Sequence, residues 1–272
     1  MIMNKYRFSF FIIILIMILF PYCEKVIISD EPSPFEIYCD SLEQAGIIDD
    51  YEFPILPGTP EYEALTTEQR DSVIQIPEAV LENMCTPGLI ETCFNYPFLW
   101  HHRAFDYYKS WWDNLTYRFN GVVCLQERID APVKMLSRYL EFNEYPYSDT
   151  ITWASNKLDI GAKLVFIELF LSQQAVIEIL SSQEKYLLGV RAKQFWQVKT
   201  DNYHIDFRLH PGKTCFLMGR LMYYDHYSPF LDEVSANNDL GAFITYGSDV
   251  FNYDESWEAI MLHIEHYLAS LK

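Results

Sequence analysis

Glycine is scarce in this chain, and bases are outnumbered by acids. Only 10 of 272 residues are Gly, about half the ~7% share of an average protein, which argues against collagen-like, Gly/Ser-linker and Gly-rich phosphate-loop architectures. The 20 Lys and Arg face 38 Asp and Glu, a formal net charge of −18. A surface that acidic repels phosphate backbones, so no nucleic-acid partner is expected. The six cysteines contain no Cys-x-x-Cys, which leaves no zinc ribbon or redox dithiol. Missing as well are the Gly-x-Ser-x-Gly and Cys-Gly-Ser-Cys-Trp elements of familiar hydrolases. By contrast, half of the residues are hydrophobic and 17% are aromatic, ample for one large or two small buried cores.

No apolar run is long enough to span a bilayer as a helix. The longest, Phe8 to Phe20, covers 13 residues and follows a short basic stretch holding Lys5 and Arg7, the pattern of an export signal over residues 1–22. Losing those two bases and no acid takes the net charge from −18 to −20. Cys23 comes directly after Phe20-Pro21-Tyr22, where a bacterial lipoprotein is cleaved and lipidated, so the segment resembles a lipobox. Tyr22 departs from that pattern, which places a small residue before the cysteine. Ordinary secretion and retention as an N-terminal anchor are the rival outcomes. Residues 23–58 are acidic and hold Pro32, Pro34, Pro54 and Pro57, which reads as a flexible tether. Lipidation of Cys23 leaves five cysteines, an odd number; Cys93, Cys124 and Cys215 sit in apolar runs and read as small core residues, with a disulfide between neighbouring helices as the rival.

From residue 59 onward the pattern is one of short helices with recognisable starts. Thr66-Thr67-Glu68-Gln69 is a capping box opening a helix to about Gln75, and Ser181-Ser182-Gln183-Glu184 is another, opening a helix to about Val198. Pro77 starts a second helix through Met84, and Thr86-Pro87 places a cap and a first-turn proline before Leu89, Ile90 and Cys93. Phe98 to Phe119 carries aromatics three or four apart, which fits one long amphipathic helix. Asn120-Gly121 is either a break between helices or a two-residue hairpin turn; the helical period on both sides favours the break. Asp130-Ala131-Pro132 caps a further helix through Leu140. Asp159 to Leu171 is apolar almost all round, as befits a central helix. Pro211 starts a helix with Leu217, Arg220, Leu221 and Tyr224 on one stripe, and Trp257, Ile260, Ile264 and Leu268 form a C-terminal stripe. Tyr203 to His210 alternates like a strand, with Ala242 to Tyr246 as its nearest candidate partner. The expected fold is all-α, an irregular multi-helix array or bundle of armadillo/HEAT-like style over 59–272, with one extended segment near 203–210 and a possible subdivision near 146–158.

Thr59-Pro60-Glu61-Tyr62, Arg70, Gln75-Ile76-Pro77-Glu78, Leu81, Met84, Thr86, Leu89-Ile90, Thr92-Cys93 and Asn95-Tyr96-Pro97 together resemble the opening of an uncharacterised family of exported, helix-rich bacterial proteins. Phe119-Asn120-Gly121 and Asp130-Ala131 fall where that pattern has a similar Phe-Asn-Gly and Asp-Ala. The resemblance covers about residues 59 to 140. It implies a helical fold and an envelope location, and no reaction. The resemblance also implies that some longer relatives carry an added segment with an Asn-Cys-His hydrolase-like motif; that tripeptide does not occur here.

The chemical candidates are sparse. His263 and His266 are three apart, a spacing that can hold a metal, but both fall off the apolar stripe and lack a third ligand. His101 and His102 are adjacent and point about 100° apart on a helix, so they cannot chelate together. Pro211-Gly212-Lys213-Thr214 ends like a phosphate loop but has Phe207 where the motif needs glycine. No cofactor and no metal site are expected. The aromatic groups are more informative: Tyr107-Tyr108, Trp111-Trp112 and Tyr223-Tyr224 bring together more rings than one helix face buries. Trp111, Trp112, Tyr223 and Tyr224 are therefore the candidate ligand-binding residues, with plain core packing as the competing reading. The sequence points to an exported helical binding or scaffold module whose partner is an envelope protein or glycan. An envelope hydrolase acting on glycan or peptide is the alternative, and an array that only packs against a partner subunit is a third reading.

Overall fold

A computed structural model describes residues 32–142, 156–202, 210–248 and 254–272. The export signal, Cys23, Tyr145-Pro146 and Tyr203 to Leu209 lie outside the described residues. Among the described residues there are fifteen α-helices, one 3-10 helix and no strand, so the fold is an all-α multi-helix array.

The chain divides into two compact units, residues 1–45 and Gly46–Lys272. In the first, α1 spans Pro34–Ala45 and buries no residue. Its start is a capping box: Ser33 Oγ accepts from the Glu36 N–H at 3.2 Å, and Glu36 Oε2 accepts from the Ser33 N–H at 2.6 Å. That backbone hydrogen bond holds the Glu36 carboxyl below its usual range. A helix thus stands where the composition suggested a flexible tether. Residues 46–58 depart from that expectation too, for they belong to the second unit and pack within it. Asp49 Oδ2 accepts from the Cys85 N–H at 2.8 Å, the Tyr51 N–H reaches Thr92 Oγ1 at 2.8 Å, and Phe53 is buried against Tyr96 and Phe119. Two prolines and several acids mask a strip of backbone that Asp49, Tyr51 and Phe53 fasten in place.

The second unit opens with short helices α2 (Pro60–Glu63), α3 (Thr67–Val73), α4 (Glu78–Leu81) and α5 (Thr86–Phe94). The Thr66 capping box is complete: its Oγ1 accepts from the Gln69 N–H, and the Gln69 side chain accepts from the Thr66 N–H. At α5 the cap differs from the expected one. Thr86 is the first helical residue, and its hydroxyl donates to Asp130 Oδ1 at 2.7 Å. The acceptor at the helix start is the distant Asp49 carboxylate instead. For the same reason Asp130 precedes α8 (Ala131–Glu141) without capping it through its side chain.

The long helix expected over Phe98 to Phe119 is two pieces, a 3-10 helix at Leu99–Ala104 and α6 at Tyr108–Arg118. The interruption has a tertiary cause: the Tyr108 N–H donates to the Gly247 carbonyl, and Tyr107 forms an isolated bridge with Ser248. No hairpin occurs at Asn120-Gly121. The break falls at extended Phe119, and α7 (Asn120–Glu127) starts directly after it. Gly121 sits within the first turn because a Cβ there would lie 2.5 Å from the Phe119 ring and 2.9 Å from Ile76.

Two helices form the centre. In α9 (Asn156–Leu171) every residue from Leu164 to Leu171 is buried, which is why its apolar residues show no preferred face. In α12 (Gly212–Tyr224) every residue through Met222 is buried. α12 packs on α9, α10 (Gln174–Ile179), α11 (Ser182–Asn202), α13 (Ser228–Ala236), α14 (Asn238–Tyr246) and α15 (Asp254–Ser270). The Ser181 capping box is present at the start of α11, with Glu184 as its carboxylate. Ala242 to Tyr246, the candidate strand partner, lies inside α14. One continuous core joins Phe53 to Leu268 across residues 146–158. Each large apolar side chain in it contributes about 1.5–3 kcal/mol over leaving it in water.

Candidate functional site

The sequence nominated two tryptophans on α6 and two tyrosines at the end of α12. Adjacent residues on a helix project about 100° apart, so Trp111 and Trp112 need two different neighbours to be buried, and the array supplies both. Trp112 packs against Phe166 and Phe170 of α9, with ring centroids 5.7 and 6.2 Å away. Trp111 meets His102 of the 3-10 helix at 5.8 Å. The two are 2% and 4% exposed, so they form no open aromatic platform, contrary to the surface reading. Tyr223 and Tyr224 are half-buried and meet edge to face at 5.2 Å.

What joins these aromatics is Arg220, one turn before Tyr224. Its Nη2 donates to the Tyr224 hydroxyl at 2.8 Å, and its guanidinium lies 5.1 Å from the Phe216 ring centre and 4.8 Å from that of Tyr224. A recess of about 70 Å³ opens beside it. Tyr108, Lys109, Trp112 and Asp113 of α6 form one wall, and Phe216 and Arg220 of α12 another, closed by Leu169 and Gln173. Trp112 and Tyr224 thus flank one feature, Trp112 as a wall and Tyr224 as the anchor of the arginine, while Trp111 and Tyr223 only support them. Lys109 and Asp113 are ion-paired at 2.5 Å on the exposed side of α6. Burial pulls the Arg220 guanidinium below its ordinary pKa, opposed by Tyr224 and Asp113.

The recess depends on one glycine. Gly247 has φ +59°, and a Cβ there would lie 2.2 Å from the Tyr108 ring and 2.9 Å from Phe216. Its carbonyl accepts from the Tyr108 N–H at 3.2 Å, which fixes where α6 begins and hence where Tyr108, Lys109 and Trp112 point.

A second polar cluster, invisible in the sequence reading, is sealed in the core. Lys199 Nζ donates to both Glu168 oxygens, at 2.8 and 2.7 Å, and to Thr214 Oγ1 at 2.6 Å. The Thr214 hydroxyl donates to Glu168 Oε1 at 2.5 Å, and the Tyr139 hydroxyl to the same oxygen at 3.2 Å. All four are buried. The cluster ties α8, α9, α11 and α12 together. Its one sequence trace is Glu168, an acid inside an otherwise apolar run. It also disposes of the phosphate-loop resemblance, since Thr214 is committed to Glu168 and Lys199, and Lys213 is buried 4.5 Å from the Tyr108 ring centre.

The remaining candidates are structural. His263 packs on Tyr227 and Phe230, and His266 is exposed. Among the described residues no three His, Cys, Asp or Glu gather where a metal could sit. His101 contacts Phe98 and Trp100, and burial holds its pKa below the ordinary histidine value. Cys93, Cys124 and Cys215 are free, the first and last fully buried, whereas Cys39 and Cys85 are disulfide-bonded. A wider groove of about 490 Å³ runs between α11 and α15, lined by Tyr186, Val190, Gln197 and Leu268 and crossed by the Lys193–Glu265 ion pair. No protein-family model, curated protein or solved structure matches the chain.

Proposed function

We propose that this protein is an exported, lipid-anchored helical module that binds an envelope partner, a glycan or a protein, without transforming it. The observation that carries the binding part is the convergence on Arg220: rings from α6 and α12, one cation and a small recess meet at a point that no local sequence motif specifies. Binding sites have this composition, apolar and aromatic walls with a few placed polar groups. Export is supported by the signal-like first 22 residues and by the resemblance over residues 59–140. The disulfide-bonded Cys39 and Cys85 agree with it, because such bonds persist in oxidising compartments. Anchoring would rest on Cys23. Among the described residues no helix is long and apolar enough to cross a membrane.

The test is co-sedimentation of the mature chain with envelope glycan and its attached peptides isolated from the host, read together with an assay for new reducing ends and amines. Saturable retention without product is the expected result. Product release points to the envelope hydrolase instead, and absence of retention on any envelope fraction removes the binding reading.

A further inference from the structure

Taking a guanidinium out of water is costly unless an acceptor of opposite charge meets it. Arg220 is 8% exposed, yet among the described residues it forms no ion pair and only one hydrogen bond, to Tyr224. Its Nε is buried and has no hydrogen-bond partner. The rings of Phe216 and Tyr224 attract the cation but do not neutralise it. Arg220 lines the recess, and a planar fork with N–H groups left unused there is the geometry that receives a carboxylate or a phosphate oxygen.

Size and charge narrow the choice. The recess, about 70 Å³, is well below the roughly 300–1,000 Å³ of a pocket that encloses a whole drug-sized ligand, so it suits one small group of a larger partner. Lys109 and Asp113 at its rim neutralise each other. Arg220 therefore leaves a single uncompensated positive charge, which a monoanion balances and a phosphate dianion exceeds. The walls made by Tyr108, Trp112 and Phe216 offer apolar contact to the atoms attached to the anion.

We infer that the recess between α6, α9 and α12 is a carboxylate-binding site in which Arg220 receives the anion and Tyr224 holds Arg220 in place. This rests on the binding-module reading, and it assigns to the envelope partner a free carboxylate as its recognised group.

The probe is acetate, with inorganic phosphate and matched sodium chloride alongside, titrated into the full chain while Trp fluorescence is followed, since Trp112 lines the recess. Acetate should give a saturable change that chloride does not. Arg220→Gln should weaken it about ten-fold or more, the size expected for a hydrogen bond to a charged group. Asp113→Asn, at a carboxylate that is 57% exposed, should leave the fold intact and tighten acetate about two-fold, because it removes a repelling charge and frees the Lys109 cation at the rim. No saturable acetate response, or equal affinity in folded Arg220→Gln, overturns the site. Phosphate binding more tightly than acetate overturns the carboxylate assignment. Should Arg220→Gln not fold, Asp113→Asn decides, and unchanged or weaker acetate binding refutes the proposal. A chain that ignores acetate but is retained on envelope glycan loses only this site. One that binds acetate but is retained on nothing keeps the site and loses the envelope reading.

Discussion

Replacing Lys199 by Met is the sharpest probe of how the central helices are held. The ammonium makes three hydrogen bonds of 2.6–2.8 Å inside the core, two to Glu168 and one to Thr214. Without it the Glu168 carboxylate, 0% exposed, keeps among the described residues only the Thr214 and Tyr139 hydroxyls as donors. Leaving one member of a buried ion pair unpartnered costs about 3–5 kcal/mol. In a chain of this size each kcal/mol moves Tm by about 2–4 °C, so the drop is on the order of 6–20 °C. Glu168→Leu combined with Lys199→Met removes both charges and should recover most of the loss, because matched hydrophobic replacement of a buried pair is often neutral. The two hydroxyls then lose their hydrogen bonds to Glu168, and about 1 kcal/mol for each limits the recovery. Urea and thermal unfolding of the single and double variants give the numbers. A single variant within about 1 kcal/mol of wild type, or a double variant as unstable as the single, refutes the reasoning.

Burial pushes the Tyr96 phenol up to about 12, with Arg118 pulling it back. The unfolded chain, with an ordinary value near 10, releases this proton first, so stability is lost as pH rises from about 10 to about 12; Tyr96→Phe should flatten that part of an alkaline unfolding curve. Gly247→Ala forces a side chain into φ +59° against Tyr108 and should cost about 1–3 kcal/mol in denaturant melts. Burial raises the Cys93 and Cys215 thiols and shields them, so a maleimide should label half-buried Cys124 first in the native chain and reach the other two only on unfolding. Thr66→Ala removes the capping hydroxyl of α3 and should cost about 1 kcal/mol by the same melts.

The parts of the fold that could be read in the sequence are those whose causes lie within a few residues. The Thr66 and Ser181 capping boxes, the Pro211 start of α12 and the C-terminal stripe of α15 all depend on partners three or four positions away. What could not be read depends on distant partners. Asp49 takes over the α5 cap from 36 residues upstream, and Gly247 cuts the aromatic run at Tyr108 from well over a hundred residues downstream. Trp111 and Trp112 looked like surplus rings because burying both needs helices on two sides of α6, which only the assembled array supplies. Arg220 did leave a trace: it falls on the apolar stripe of Leu217, Leu221 and Tyr224, and a cation on a core face asks for a partner.

The most direct test of the account is an NMR titration of the labelled chain with soluble envelope glycan and peptide fragments, following the Trp indole and Arg Nε–H signals. Trp112 and Arg220 should shift together and saturate with one affinity, while Trp196 and Trp257, outside the recess, stay in place. Saturable shifts confined to the groove between α11 and α15, or none at Arg220, would contradict it.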